Sequence, residues 1–290
     1  MEPPPPPPPP PAALLPAGLA AFALTGRTAL VTGGTSGIGL AIAHALAAAG
    51  ARVVVASSQP AKVAAAVAGL GGPPHAGLVL DLQQGERAVA GCFEQLRGLL
   101  AGAPLDCLVN AAGVISRAPA EGESARSWQR VLDVNLTGAF LCCQHAFPLL
   151  RRPAGGGGGG PGGGPGGGGG AIVNVASLAS TVALSDVTAY AVSKAGVAQL
   201  TRCLASDWAR HGLRVNAIAP GWVPTDINRA ALLGTPRGEW ALRQTPLGRF
   251  GAADEMAGAV VYLLSDAASF TSGAVLPVDG GFLARGVGPC

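Results

Sequence analysis

Residues 28–39 read Thr-Ala-Leu-Val-Thr-Gly-Gly-Thr-Ser-Gly-Ile-Gly. The first five of these residues predict a short buried strand, and the apolar sequence after them predicts a helix over residues 37–49. Between the two, Gly33, Gly37 and Gly39 allow a tight turn and let backbone N–H groups approach a pyrophosphate. The loop lacks the Gly-Lys-Ser/Thr of a nucleotide-triphosphate P-loop, which disfavours ATP or GTP. A glycine-rich string alone would also fit an ordinary turn, but a strand before it and a helix after it indicate a dinucleotide-binding βαβ unit.

The rest of the chain alternates short apolar runs with amphipathic stretches, which predicts repeated βαβ units and a parallel sheet. Six further strands are expected, at residues 52–56, 77–80, 106–109, 171–176, 214–218 and 274–278. The remaining helices are expected at residues 61–70, 86–100, 124–150, 189–211 and 254–264, with irregular sequence over 220–250. This pattern predicts one α/β domain.

Two low-complexity segments interrupt the pattern: residues 3–11 are all proline, and residues 155–170 contain only glycine and proline. Residues 1–21 are predicted to be a disordered proline-rich tail, either solvated or able to dock an SH3-type or WW-type domain. Residues 153–170 are predicted to be a disordered insertion that enters the fifth strand at its amino end, away from the ligand-binding edge of a parallel sheet. Residues 22–290 then form the domain.

Composition argues against several function classes. The net charge is only +3 and the arginines are scattered, so no basic stripe predicts nucleic-acid binding. No apolar run is long enough to cross a bilayer, and the apolar segment 12–24 lacks the basic start of a signal peptide. The six cysteines and four histidines show no metal-ligand spacing, so no metal site is predicted. This cysteine usage fits thiols in a reducing compartment, and the expected location is the cytoplasm.

A tyrosine and a lysine on one helix carry the clearest chemical signal. The chain has two of each, and one of each stands in residues 190–194, Tyr-Ala-Val-Ser-Lys. At this i, i+4 spacing Tyr190 and Lys194 share one helix face, and a cation beside a phenol favours the phenolate. Ser177, thirteen positions upstream of Tyr190, follows the predicted fifth strand. A phenol that exchanges protons near neutral pH suits acid–base work on an alcohol or a ketone.

Several motifs follow one another in a fixed order along the chain. They are Thr-Gly-x3-Gly-Ile-Gly in the first loop, Asn110-Ala111-Ala112-Gly113, Asn135, Ser177, Tyr190-x3-Lys194, Pro220-Gly221 and Asp279-Gly280-Gly281. Together they resemble the short-chain dehydrogenase/reductase family. The resemblance implies a single Rossmann-type, doubly wound domain with a seven-stranded parallel sheet, a nicotinamide cofactor and a homotetramer. It also implies an enzyme that interconverts a secondary alcohol and a ketone.

The same resemblance implies the roles of the catalytic residues. Tyr190 donates a proton to the carbonyl oxygen in reduction, or removes the hydroxyl proton in oxidation. Lys194 holds the nicotinamide ribose and lowers the pKa of the tyrosine, while Ser177 hydrogen-bonds the substrate oxygen. Asn135 holds a water that relays protons from Lys194 to solvent. Each residue alone also has a structural interpretation: Ser177 as a helix cap, Asn135 as a surface polar group and Lys194 as a solvated charge.

The predicted cofactor contacts follow the carboxyl ends of the strands. They are Gly33, Thr35, Ser36, Gly37, Ile38, Gly39, Ser57, Ser58, Asp81, Leu82, Asn110, Ala111, Gly113, Tyr190, Lys194, Pro220, Gly221, Val223 and Thr225. Ser57 and Ser58 stand where an acid would favour NAD or an arginine would accept the NADP phosphate. Because no acid repels that phosphate and two hydroxyls can bond it, NADP is slightly favoured over NAD. Asp81 and Thr225 also fit helix caps, and Asn110 is expected to brace the fourth strand through backbone hydrogen bonds.

The substrate depends on loop residues, because the fold does not set it. Residues 113–117, Gly-Val-Ile-Ser-Arg, and the tail 278–287 resemble sugar-acid members such as gluconate 5-dehydrogenase and 2-deoxy-gluconate 3-dehydrogenase. A sugar acid or polyol is therefore expected as the small-molecule substrate. Arg117 would pair a substrate carboxylate with its planar fork, or else pair Glu121 or Glu123 on the surface.

Two other functions remain open. A 3-oxoacyl-carrier-protein reductase has much the same motifs and needs a basic surface beside the cleft, for which Arg126 and Arg130 are candidates. A non-catalytic dinucleotide-binding scaffold is the alternative of another class. The complete set of Ser177, Asn135 and the Tyr–Lys pair argues against a scaffold.

Overall fold

A seven-stranded sheet, parallel throughout, runs through the centre of the computed structural model, which describes residues 17–151 and 169–285. The strands are β1 (Thr28–Thr32), β2 (Arg52–Ser57), β3 (Ala76–Val79), β4 (Cys107–Asn110), β5 (Ala171–Val175), β6 (Arg214–Pro220) and β7 (Val275–Val278). Their order across the sheet is β3-β2-β1-β4-β5-β6-β7. The predicted single α/β domain with a seven-stranded parallel sheet is confirmed, and the winding direction reverses between β1 and β4.

Helices cover both faces of this sheet. They are α1 (Ala17–Ala20), α2 (Gly37–Ala48), α3 (Pro60–Gly69), α4 (Glu86–Leu100), α5 (Ala125–Leu132), α6 (Gly138–Leu150), α7 (Thr188–Trp208), α8 (Arg229–Leu232), α9 (Pro236–Gln244) and α10 (Ala257–Leu264). Successive strand residues point to opposite faces. In β1, Ala29 and Val31 pack with α2 and α10, whereas Leu30 packs with α4 and α6. Burial on both faces explains why the strands are nearly continuous apolar runs in the sequence.

The predicted helix over residues 124–150 is interrupted. Between α5 and α6 the backbone makes a π-helical turn over Asp133–Thr137, so the helical path continues with one wider turn. Asn135 lies in this turn and is 1% exposed. Turns of this kind often mark functional sites, and hydrophobic periodicity carries no signal for them.

The region predicted to be irregular, residues 220–250, contains α8 and α9. The Thr235 hydroxyl accepts a hydrogen bond from the Gly238 N–H (3.1 Å) and caps α9, and Pro236 occupies its first turn. A Thr-Pro pair is a known helix-start signal, so α9 was detectable from the sequence.

The predicted bounds of both low-complexity segments need correction, although most of each lies outside the described residues. The folded part starts before residue 22, because Ala17–Ala20 form a helical turn and the Ala267 N–H donates to the Ala21 carbonyl (3.0 Å). At the second segment, Gly170 is already part of the fold, since its N–H donates to the Leu150 carbonyl (3.1 Å).

Deleting residues 155–168 should change kcat and KM by less than about two-fold. The described chain ends on either side of this stretch come together at the hydrogen bond between Gly170 and Leu150, so the few remaining residues can close a short loop. They also meet at the amino end of β5, whereas ligands of such sheets bind at the carboxyl ends. Steady-state kinetics of the deletion variant tests this, and a large loss of activity with an unchanged melting temperature would show that the stretch reaches the active site.

Candidate active site

A cavity of about 470 Å³ opens where the winding of the sheet reverses. Its walls are the glycine loop after β1, the segment after β4, the start of α7 and the loop after β6. Thr32 and Asn110, the last residues of β1 and β4, are paired in the sheet, so the two loops that follow them are neighbours. This position is where open α/β sheets bind their ligands.

Glycine is required in the glycine loop because backbone atoms of neighbouring segments lie too close for a Cβ atom. Gly33 has φ +67°, and a Cβ there would lie 2.6 Å from the Ala112 Cα, in the segment after β4. A Cβ on Gly39 would lie 2.2 Å from the Gly33 carbonyl oxygen. The loop is therefore folded tightly against both α2 and the segment after β4, as the pyrophosphate-binding interpretation requires.

Tyr190, Lys194 and Ser177 meet at the cavity, as predicted. Tyr190 and Lys194 lie one turn apart on α7, and the Lys194 Nζ is 5.8 Å from the centroid of the tyrosine ring. Ser177 follows β5, and its hydroxyl lies close enough to the Tyr190 phenol to lower the pKa of the phenol. A substrate oxygen placed between these two hydroxyls can exchange a proton with the phenol and accept a second hydrogen bond.

Burial acts in opposite directions on the two titratable side chains. It raises the pKa of Tyr190 above its usual value, while the nearby Ser177 hydroxyl and the positive charge of Arg117 act to lower that pKa. Burial also lowers the pKa of Lys194 to about 8. The effect of Lys194 on the tyrosine pKa therefore stays a prediction, whereas the influence of Arg117 was not evident from the sequence.

Ser177 has the structural role of a cap as well as a place in the cavity. Its hydroxyl accepts a hydrogen bond from the Ala179 N–H (3.1 Å), and the Ser180 hydroxyl accepts one from the Ser177 N–H (3.3 Å). The Ser180 hydroxyl donates in turn to the Lys194 carbonyl (2.7 Å). This capping box thus ties Ser177 to the helix that carries the tyrosine and the lysine.

Asn135 is a brace, and its side chain does not line the cavity. Its Oδ1 accepts from the Val114 N–H (2.8 Å), and its Nδ2 donates to the Val114 carbonyl (2.9 Å) and to the Ser193 hydroxyl (3.0 Å). The Ser193 hydroxyl donates to the Tyr190 carbonyl (2.7 Å). Asn135 therefore connects the segment after β4 to α7, and the proposed proton relay stays a prediction.

The surroundings of Lys194 fit a nicotinamide dinucleotide. The ammonium is 5% exposed and has three N–H donors, of which one donates to the Val175 carbonyl (2.6 Å). Among the described residues Nζ has no second hydrogen-bond partner. Buried ammonium groups need partners, and ribose hydroxyls in the cavity would supply them. A Cβ on Gly113 would lie 3.6 Å from Nζ, so glycine leaves room on this side.

The remaining predicted cofactor residues line the same cavity, with one exception. They are Thr35, Ser36, Gly37, Ile38, Ser57, Ser58, Asp81, Leu82, Ala111, Gly113, Pro220, Gly221, Val223 and Thr225. Thr225 packs against the glycine loop, since a Cβ on Gly37 would lie 3.1 Å from its Cγ2. Asp81 also caps a short helical turn, because its carboxylate accepts from the Gln83 N–H (3.0 Å).

Asn110 is the exception, and its cofactor contact stays a prediction. It does not line the cavity, and its Nδ2 donates to the Asn174 Oδ1 (2.9 Å) and to the Cys143 Sγ (3.2 Å). Asn110 therefore braces β4 against β5 and α6 through side chains rather than backbone groups. It is the last residue of β4 and directly precedes Ala111, which lines the cavity.

Arg117 lines the cavity, and the surface pairing with Glu121 or Glu123 is absent among the described residues. Glu123 instead accepts a hydrogen bond from the Ser116 hydroxyl (2.8 Å), and the Arg117 Nη1 donates to the Ile227 carbonyl (3.3 Å). The guanidinium therefore reaches toward the loop after β6. Its pKa is lowered by burial and by the charge of Arg237.

Three charged cavity residues, Lys62, Asp226 and Arg237, were missed in the sequence. Lys62 lies on α3, one turn after Ser58. Arg237 lies on α9, the helix that the sequence reasoning did not detect. Detecting the start of α9 at Thr235-Pro236 would have placed Arg237 in its first turn, whereas no motif marks Lys62.

Residues 17–151 and 169–285 contain neither a metal-binding cluster nor a membrane-spanning helix. No group of three or more His, Cys, Asp or Glu side chains there could hold a metal ion. None of the helices in these ranges is both long and apolar enough to cross a membrane.

Comparisons with known proteins agree with this geometry. Residues 33–283 match the profile of a family described as enoyl-(acyl carrier protein) reductase. D-threitol dehydrogenase of Mycolicibacterium smegmatis is 41% identical over 90% of this chain and 94% of its own length. The rhamnolipids biosynthesis 3-oxoacyl-[acyl-carrier-protein] reductase of Pseudomonas aeruginosa is 34% identical over 90% of this chain and 98% of its own.

The crystal structure of a gluconate 5-dehydrogenase from Burkholderia cenocepacia, in complex with NADP and tartrate, superimposes with a TM-score of 0.81. It is 32% identical, and the match covers 93% of this chain and 100% of that chain. Fold, site and relatives together define an oxidoreductase of the Rossmann type. The chain belongs to the short-chain dehydrogenase/reductase family, as its motifs predicted.

Proposed function

We propose that this protein is an NAD(P)-dependent dehydrogenase that interconverts a secondary alcohol and a ketone on a sugar acid or a polyol. The observation that carries the proposal is the meeting of Tyr190, Ser177 and Lys194 at one wall of a cavity whose other wall is the glycine loop. Relatives named for a polyol and for a sugar acid, D-threitol dehydrogenase and gluconate 5-dehydrogenase, support the substrate class.

The residues divide the acid–base work as follows. In oxidation, the Tyr190 phenolate takes the hydroxyl proton of the alcohol, and in reduction the phenol returns a proton to the carbonyl oxygen. Ser177 donates a hydrogen bond to the same oxygen, where negative charge develops. One N–H of the Lys194 ammonium donates to the Val175 carbonyl. The other N–H groups can donate to the ribose hydroxyls and orient them. When bound, the nicotinamide supplies hydride transfer to or from the carbon.

A panel of substrates with the purified full chain tests this function. The absorbance of the reduced nicotinamide is followed with NAD(H) or NADP(H) against sugar acids, polyols, short ketones and acyl thioesters. Turnover of sugar acids or polyols is expected. A folded protein that binds the cofactor and turns over none of the panel would contradict the proposal and favour the non-catalytic scaffold.

NADP is the preferred cofactor in this proposal. The Ser57 and Ser58 hydroxyls and the Lys62 ammonium line the cavity around the end of β2, where the ribose phosphate of NADP binds in dinucleotide folds. The Asp81 carboxylate also lines the cavity, and its oxygens accept hydrogen bonds from Gln83 and Gln84. The NADP bound in the Burkholderia cenocepacia enzyme is consistent with this choice.

Lys62→Ala should raise the Kd for NADPH by about ten-fold and leave the Kd for NADH within about two-fold, because only NADPH carries the phosphate that the ammonium can bind. Titration of each cofactor by calorimetry measures both constants. Lys62→Arg keeps the charge and should restore most of the NADPH affinity. An equal loss of affinity for NADPH and NADH would show that Lys62 does not bind the ribose phosphate.

A 3-oxoacyl-carrier-protein reductase is the second candidate, favoured by the Pseudomonas aeruginosa relative. Arg126 and Arg130 are both exposed on α5, but Arg130 donates to Gln83 (3.2 Å). Two arginines make a small basic surface for an acidic carrier protein. Turnover of acyl thioesters in preference to sugar acids and polyols would establish this candidate.

The assembly and setting are proposed with the same function. A homotetramer is expected, and the exposed Phe140 on α6 and Val192 on α7 are apolar side chains that subunit contacts could cover. Light scattering measures the assembly directly. A cytoplasmic location and an SH3-type or WW-type partner for the proline tail complete the proposal.

A further inference from the structure

Arg117 and Arg237 place two guanidinium groups at the wall of the cavity. They come from different parts of the chain, Arg117 from the segment after β4 and Arg237 from α9. The charge of Arg237 lowers the pKa of Arg117, and the charge of Arg117 acts in turn on the pKa of the Tyr190 phenol. Arg117 therefore lies on the side of the cavity that holds Tyr190.

The two guanidinium groups differ in how they are neutralised. Arg237 is 30% exposed and donates to the Asp186 carboxylate (3.0 Å) and to the Ser185 carbonyl (3.3 Å). Arg117 forms no ion pair with any described carboxylate. Among the described residues, its guanidinium hydrogen-bonds only the Ile227 backbone carbonyl. Asp226 also lines the cavity but pairs with neither arginine among the described residues. An anion placed at Arg117 would relieve the repulsion between the two guanidinium groups.

Both arginines are held in place by the loops that surround the substrate. Arg117 donates to the Ile227 carbonyl in the loop after β6. Asp186, the partner of Arg237, has φ +62°, and its carbonyl accepts a hydrogen bond from the Ala118 N–H (3.0 Å). Arg237 therefore holds the strained loop before α7 through Asp186. The same loop is hydrogen-bonded to Ala118, the residue next to Arg117. The donors are preorganised for a planar, bidentate partner.

We infer that the substrate of this protein carries a carboxylate, that Arg117 binds it directly, and that Arg237, through its ion pair with Asp186, positions the loop beside Arg117. This inference rests on the proposed function and narrows it to hydroxy acids, with neutral polyols as poor substrates. A guanidinium without an acidic partner suits a carboxylate, because a polyol supplies hydroxyls that bond equally well to uncharged groups.

The test compares an acid with its own polyol. D-gluconate carries a carboxylate where D-glucitol carries a hydroxymethyl group. Galactonate and galactitol form a second such pair. The wild-type chain should show a kcat/KM at least about ten-fold higher for the acids. Arg117→Ala should raise the KM for the acids about 10- to 100-fold and for the polyols less than about three-fold. Arg117→Lys, which keeps the charge without the planar fork, should recover part of the loss.

Arg237 and a matched control complete the series. Arg237→Lys should raise the acid KM by a few-fold, and Arg237→Ala by more, with melting temperatures recorded because the loop before α7 depends on this side chain. Arg243→Ala is the control: it lies on the same helix, its side chain is 66% exposed, and its partner is Glu239 on the surface. The Arg243→Ala substitution should leave the KM for the acids and the KM for the polyols unchanged.

The outcomes separate this inference from the proposed function. A wild-type enzyme that oxidises the polyols but not the acids, or an Arg117→Ala variant that raises both KM values equally, would overturn the inference and leave the proposed function standing. A wild-type protein that binds the cofactor and oxidises neither class would overturn both.

Discussion

Tyr190→Phe should lower kcat by about 10²- to 10⁴-fold and leave the Kd of the cofactor within about two-fold. The substitution removes the phenolic hydroxyl, which lies at the cavity near Ser177, and keeps the aromatic ring beside the Lys194 ammonium. The hydroxyl is the group placed to exchange a proton with the substrate oxygen. Steady-state kinetics gives kcat, and titration of NADPH gives the Kd.

The only other tyrosine of the chain provides a matched control. Tyr262 lies on α10, and its hydroxyl shares a hydrogen bond with the Thr271 hydroxyl (3.1 Å), outside the cavity. Tyr262→Phe makes the same chemical change and should cost about 0.5–1.5 kcal/mol of stability with kcat unchanged. Parallel losses of turnover and cofactor affinity in Tyr190→Phe would mean that the residue is structural.

The strands were the most predictable part of the fold. β1 was predicted at residues 28–32 and lies at Thr28–Thr32, and the remaining strands shift by one or two residues at their ends. Strands of a parallel sheet are buried on both faces, so each is an uninterrupted apolar run that contrasts with the flanking loops. The glycine loop was equally evident, because its function requires glycine at fixed spacing.

Features that depend on backbone detail or through-space contact were not predictable. The π-helical turn at Asp133–Thr137 leaves the apolar pattern of the helix unchanged. Arg237 enters the cavity only because α8 and α9 fold back over it, and Lys62 only because α3 starts at the end of β2. The influence of Arg117 on Tyr190 joins residues more than seventy positions apart, and no local spacing encodes it.

Several motif residues have a structural role that the motif alone does not separate from a chemical one. Ser177 caps a short helical turn and also faces Tyr190. Asp81 caps another turn at the cavity edge. Asn110 and Asn135 brace the strands and helices that carry the site, and neither side chain lines the cavity. A family motif therefore predicts that a residue is needed, while the coordinates decide whether it touches the ligand.

Gly39→Ala should raise the Kd of NADPH by more than about ten-fold and lower the stability of the fold by about 1–3 kcal/mol. In an ordinary helix this change is favourable by about 0.5–1 kcal/mol, because alanine loses less backbone entropy. At Gly39, however, the new Cβ would lie 2.2 Å from the Gly33 carbonyl oxygen and 2.8 Å from its carbonyl carbon. Neither atom can rotate away, so α2 and the glycine loop must separate.

Gly91→Ala is the control that separates the steric clash from the higher helix propensity of alanine. Gly91 lies on the exposed face of α4, and a Cβ there would have no atom within 4 Å. The same substitution should therefore raise the melting temperature at Gly91 and lower it at Gly39, with cofactor binding changed only at Gly39. Thermal unfolding and NADPH titration of the two variants measure both effects. If both variants gained stability and bound NADPH as the wild type does, the contact between Gly39 and Gly33 could not be what shapes the pyrophosphate site. The dinucleotide would then have to be held by residues other than this loop.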